Sequence, residues 1–216
     1  MEKTIVILAN SVKHKNHCVA GKCVETKEWI RPVSNKEGKE LTSEEVEYNN
    51  CYGSQKCIKP LQKIKMKLES KESLINQPEN YLIDKEIKWE QTSKINSDEL
   101  KDFLDEPDDL WGKMDKVSFD DIKNKKIKID NSLYLIELKS LELYKKFYED
   151  NEGNKKYKRR ISFNYNNIDY DFSVTDPKFN LLLEKEDNKT FENKKLCVSL
   201  GEEFKGNCYK IAAAIL

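Results

Sequence analysis

Residues 158–176 read KRRISFNYNNIDYDFSVTD, and this alternation constrains the fold more than anything else in the chain. Ile161, Phe163 and Tyr165 fall on one face before Asn166–Asn167, and Tyr170, Phe172 and Val174 on one face after it. A period of two on either side of an Asn-Asn pair predicts two half-buried antiparallel strands joined by a tight turn. The same period recurs in IKMKLES, where Ile64, Met66 and Leu68 alternate with Lys63, Lys65 and Lys67. TIVILAN, HCVAGKCV, WIRPV, NYLID, IKWEQ, SLYLIELKSLELY, KLCVSLG and CYKIAAAIL add further runs of strand length.

Helical signals are few. TSEEVEY carries a Thr/Ser cap with glutamates behind it, which predicts a short helix. DPKFNLLLEK predicts another, with Pro177 ending the preceding strand. Between them, SDELKDFLDEPDDLWGKM has helical spacing broken by Pro107, in a stretch (91–130) with 11 acidic against 8 basic side chains. The expected architecture is therefore mainly β with short helices. A first small barrel spans residues 1–95, a helical segment 96–128, and a second small barrel 129–216, with about five strands in each barrel.

Composition bounds the partners. The 216 residues carry 39 basic and 39 acidic side chains, so no global field draws the chain to nucleic acid or anionic lipid. Nearly all the basic residues are lysine, and the arginines are Arg31, Arg159 and Arg160. No apolar run is long enough to span a bilayer, and no export signal is evident. Six cysteines without C-x-x-C spacing then read as reduced thiols, and a cytoplasmic location without membrane association is expected.

Both histidines, His14 and His17, sit in SVKHKNHCVAGK. Zinc is one reading, with His14, His17, Cys18 and Cys23 as donors, but His17 and Cys18 would face opposite sides of a strand. Catalysis by Cys18 with His14 as base is another. No P-loop, nucleophile elbow or His-Glu-x-x-His accompanies it, and no cofactor is implied. A binding surface suits the composition better. Lys13, His14, Lys22 and Arg31 offer donors to phosphate, Gly21 permits close backbone approach, and Trp29 shares a strand face with Arg31. In the second half, KKYKRR with Arg159 and Arg160 could track a phosphate backbone. For each, the bland alternative is core packing or a solvated strand end.

Three blocks taken together resemble the dual OB domain-containing family: ILANSVKHKNHCVAGK with WIRP, the hairpin ending in VTDP, and CVSLGEEFKGNCYKIAAAI. The matching residues are Ser11, Lys13, His14, Cys18, Gly21, Trp29, Arg31, Pro32, Thr175, Asp176, Pro177, Ser199, Leu200, Gly201, Tyr209 and Lys210. The resemblance implies two tandem oligonucleotide/oligosaccharide-binding (OB) barrels, a prokaryotic conflict-system setting and nucleic-acid binding. A non-enzymatic binding module is the expected reading, with an enzyme using Cys18 and His14 as an alternative. The expected partner is a single strand or strand end. A nucleotide ligand, or a protein partner encoded by a neighbouring gene, is the alternative.

Overall fold

The computed structural model describes residues 1–13, 16–55, 58–176, 179, 182–184 and 186–216, with only the backbone of Lys13. His14, Cys57 and Pro177, each singled out above or counted among the thiols, lie outside the described residues.

Strands β1 (Glu2–Lys13), β2 (Asn16–Cys23), β3 (Trp29–Val33), β6 (Gln62–Lys71) and β7 (Asn80–Ile83) pair in the ring β1-β2-β3-β7-β6-β1. The ring is closed by the β1–β6 pairing, and β3 runs parallel to β7. β4 (Tyr48–Asn50), β5 (Gly53–Gln55) and β8 (Trp89–Lys94) branch from β6. The second ring repeats this order. β10 (Leu133–Glu149), β11 (Lys155–Tyr165), β12 (Ile168–Val174), β14 (Asn207–Ile215) and β13 (Asn188–Phe204) close through a parallel β12–β14 pairing. A 1-2-3-5-4-1 ring with strand 3 parallel to strand 5 occurs twice, so the fold is two closed five-stranded barrels of the OB topology.

The apolar runs show why the barrels associate. In β1, Ile5 and Ile7 fill the first barrel, while Val6 and Leu8 face a separate cluster shared with the second. That cluster also holds Trp29, Leu100, Phe103, Leu133, Leu135, Cys197, Ala213 and Ala214. β10 divides the same way, with Leu133 and Leu135 at the junction and Ile136 and Leu138 inside the second barrel. A strand buried on both faces needs apolar residues at consecutive positions, which accounts for TIVILAN and IAAAIL.

The predicted hairpin forms as read. Tyr165 pairs with Ile168 across Asn166 (φ 49) and Asn167 (φ 63), the two left-handed residues of a primed turn. Helices are shorter than predicted. Thr42 and Glu45 make reciprocal capping bonds (2.8 and 3.2 Å), but the chain turns there without a helix. SDELKDFL yields a 3₁₀ turn, Asp98–Phe103. The rest of segment 96–128 supplies β9 (Lys116–Ser118), which pairs with β14, and α1 (Phe119–Lys123). DPKFNLLLEK falls partly outside the described residues, with Phe179 and Leu183 buried. Among the described residues, no helix is long and apolar enough to cross a membrane.

Candidate functional site

Lys22, Trp29 and Arg31, expected at a ligand surface, make buried contacts that clasp the barrels together, and Arg31 also lines the cleft between them. Lys22 is buried, and its ammonium donates to Asp105 Oδ1 (2.6 Å) and Phe103 O (2.8 Å). Trp29 Nε1 donates to Asp105 Oδ2 (3.0 Å), which also accepts from the Leu135 amide (2.8 Å). Asp105 therefore ties β2, β3 and β10 at once. Arg31 lies beside it on β3, with Nη2 3.2 Å from Glu79 Oε1 and donating to Ser132 Oγ (2.7 Å) and Ser199 Oγ (3.2 Å). Glu79 in turn accepts from the Ser132 amide and hydroxyl. The same-face placement of Trp29 and Arg31 expected from their spacing does not make a stacking platform, because both side chains point into the junction. Arg31 Nε is buried without a partner, a state that costs about 1–3 kcal/mol.

Gly21 is likewise structural. A Cβ there would collide with the carbonyl of Val6, so the close approach it permits is that of β1, not of a ligand. His17 Nδ1 lies 3.0 Å from Asn10 Oδ1, and burial pulls its pKa below the usual imidazole value. Six strand positions separate His17 from Cys23, about 20 Å, so the two cannot share one ion. Among the described residues, no group of three or more histidine, cysteine or acidic side chains is placed to hold a metal. Burial pushes the Cys18 thiol up; Arg31 opposes this, while Glu40 and Glu202 reinforce it. Such a thiol stays protonated at neutral pH and is a poor nucleophile.

Between the barrels lies a cleft of about 520 Å³. Its walls include Ser11, Cys18 and Arg31 from the first barrel and Thr175, Ser199, Gly201 and Tyr209 from the second. These seven come from all three sequence blocks that carry the family resemblance. The lining also includes Arg159, Glu40, Glu202, Glu203 and the exposed Phe204.

The second feature is a ribbon. β13 pairs with β10 only as far as Tyr144, and β12 reaches β11 only from Arg160. The Lys145 amide still donates to the Asp187 carbonyl (2.8 Å). Beyond it, among the described residues, four cross-strand pairs from Lys146↔Lys158 to Glu149↔Lys155 stand free, an arm of about 13 Å. Residues 145–160 hold seven basic and three acidic side chains, a local +4 in a neutral protein. Lys145 lies directly opposite Arg159, and Lys146 directly opposite Lys158. Like charges facing across a ladder are destabilising unless an anion sits between them. Phe147, Tyr148 and Tyr157 are exposed on the same arm, with Lys158 5.1 Å from the Tyr148 ring centre. The acidic tip is structural, since Asp150 accepts from the amides of Glu152 and Asn154 and pairs with Lys156, which holds its pKa down at about 2.

Of the two arginines of KKYKRR, Arg160 is fully committed to Asp171 (Nε–Oδ1 2.9 Å) and Ser173 (2.9 Å). Arg159 makes one long bond to the Asp176 carbonyl (3.4 Å) and borders the cleft. Sequence reading missed the like-charge ladder and the exposed rings beside it, although DNEGN at 150–154 carries the Asp, Asn and Gly of a turn, with Gly153 at φ 79. The turn between β13 and β14 repeats the theme, with Lys205 5.4 Å from the Phe204 ring and Lys116 5.8 Å from Tyr209.

Two closed OB rings carrying cation-and-aromatic loops define a tandem OB-type binding module. The family model for the dual OB-containing domain matches residues 3–215, and the chain belongs to that family. No curated protein matches it.

Proposed function

We propose that the protein binds single-stranded nucleic acid, as a non-enzymatic module of a prokaryotic conflict (defence) system. The conflict setting is supported by the family resemblance alone. The observation that carries the binding reading is the free arm of β10 and β11, where opposed cations flank exposed aromatic rings. Phosphates between Lys146 and Lys158 relieve the repulsion on one face of the ladder, where an unstacked base lies on Tyr148. Phe147 and Tyr157 offer a second stacking surface on the other face, beside Lys145 and Arg159. The loops joining strands 1–2 and 4–5 of an OB ring are the usual contact points for oligonucleotides. Here those are the β10–β11 arm and the Phe204–Asn207 turn. Closure of the ring through β12 and β14 brings the base of the arm, at Arg159, to the same cleft as Phe204 and Tyr209.

Among the described residues, the arm cations outside any ion pair are Lys146, Lys155, Lys158 and Arg159. Four phosphate contacts predict a slope of log K on log salt of about −2.8 for a single strand. Affinity then falls about 50-fold between about 50 and 200 mM salt. Lys146→Gln with Lys158→Gln halves the slope to about −1.4. Fluorescence anisotropy of labelled 12-nucleotide strands, with duplex as competitor, measures both values. A wild-type slope near zero, or a double variant with an unchanged slope, rejects the arm as the interface. Tighter binding of duplex rejects the single-strand assignment.

A further inference from the structure

We propose that the inter-barrel cleft is a pocket for the base of a nucleoside unit, with the sugar at the Phe204–Tyr209 rim and phosphate held outside it. This rests on the nucleic-acid reading for the class of ligand. The geometry points to it in three ways. The cavity, about 520 Å³, falls within the ~300–1,000 Å³ of small-molecule sites, and its walls are strands of two closed barrels, so it is formed in advance.

Its lining is amphipathic in the manner a heteroaromatic ring requires. Ala9, Ala20 and Ala213 present an apolar wall, while Ser11, Thr175 and Ser199 bring hydroxyls from both barrels. Arg31 stands in the same wall with a buried Nε that has no acceptor among the described residues.

Charge at the described residues disfavours a phosphate inside the cleft. Among them Arg31 is held by Glu79, and the other lining cation, Arg159, is outnumbered by Glu40 and Glu203. A phosphate driven inward meets more carboxylate than cation, whereas the N–H groups of a base find acceptors there. Arg159 lies on the arm side of the opening, so a phosphate left outside is met by the arm. The polarity is base inward, backbone outward. The occupant is either a free nucleoside or the last residue of a strand lying along the arm.

The test uses the whole protein and two probes, with Val12→Trp as the blocking variant. Val12 lines the cleft but is 41 % exposed, so an indole there obstructs the mouth without entering either core. Thermal shift and calorimetry are run with the four uncharged ribonucleosides and their 5′-monophosphates. Anisotropy is run with 12-nucleotide strands, intact or ending in an abasic residue. The expected result is that one nucleoside raises the Tm, its monophosphate does no better, and Val12→Trp weakens that nucleoside about tenfold or more while the strand salt slope is unchanged. Weaker binding of the abasic-ended strand then identifies a strand end as the occupant, and equal binding identifies a free nucleoside. If no nucleoside or nucleotide shifts the Tm and the abasic strand binds as tightly as the intact one, the pocket is overturned. The arm still stands or falls on its own salt slope. A nucleoside shift without strand binding overturns the arm and leaves the pocket.

Discussion

Replacing Asp105 by alanine removes one carboxylate and leaves three donors in the junction without their acceptor. The Lys22 ammonium keeps the Phe103 carbonyl, but its side chain is only 4 % exposed and its charge is no longer balanced. The Leu135 amide and the Trp29 indole N–H lose their acceptor altogether. Breaking a buried pair by deleting one partner costs about 3–5 kcal/mol, and each stranded neutral donor about 1–3 kcal/mol. These do not add in full, because Asp105 is 19 % exposed and water can enter the space it leaves. A loss of about 4 kcal/mol is expected, which for a chain of this size lowers the Tm by about 8–16 °C. Lys22→Met should cost distinctly less, since the carboxylate it leaves still accepts two N–H bonds and touches water. Scanning calorimetry of both variants and the double variant measures the asymmetry. Equal losses, or an Asp105→Ala shift of under about 3 °C, would show that the clasp does not hold the barrels together as described.

Other expectations follow from the same geometry. Arg31→Ala should lower the Tm through loss of its Glu79, Ser132 and Ser199 contacts, while the salt slope of strand binding stays at its wild-type value; a flattened slope would restore Arg31 as a phosphate contact. Burial pushes the Cys197 and Tyr134 pKa values up to about 12 and that of Cys208 to about 11, so these groups favour folding only while protonated. The unfolded chain ionises them first, and stability is expected to fall from about pH 9 upward. Lys210, pulled down to about 8 by burial, works in the opposite direction between about pH 8 and 10.5, so Lys210→Met should steepen the alkaline loss measured by thermal melts. Among the described thiols Cys51 is exposed and should react fastest with a disulfide reagent at neutral pH, with Cys18 slow; a fast Cys18 would revive the nucleophile reading.

Much of the fold was legible because one face of each strand is buried. Ile64, Met66 and Leu68 point inward and the intervening lysines outward, as their alternation predicts. The Asn166–Asn167 turn set the register of β11 and β12 by itself. The barrel junction was harder to read. Consecutive apolar residues in TIVILAN show that both faces of β1 are covered, but not that another barrel covers one of them. For the same reason Lys22, Trp29 and Arg31 looked like a surface. Their partners, Asp105, Glu79, Ser132 and Ser199, are between 48 and 168 positions away, and no local pattern announces such pairs. The helix at Thr42–Tyr48 was overread, since a capping box satisfies its own two amides whether or not further turns follow.

Beyond Lys145, the outer backbone of both arm strands has no neighbour among the described residues. Unclosed margins of this kind invite a second molecule to dock strand against strand, the first step toward fibrous assembly. Lys146, Lys155, Lys156 and Lys158 stand along those margins and guard them by mutual repulsion between molecules. Neutralising several at once should therefore cost solubility as well as recognition, a coupling that discourages the arm from ever becoming uncharged.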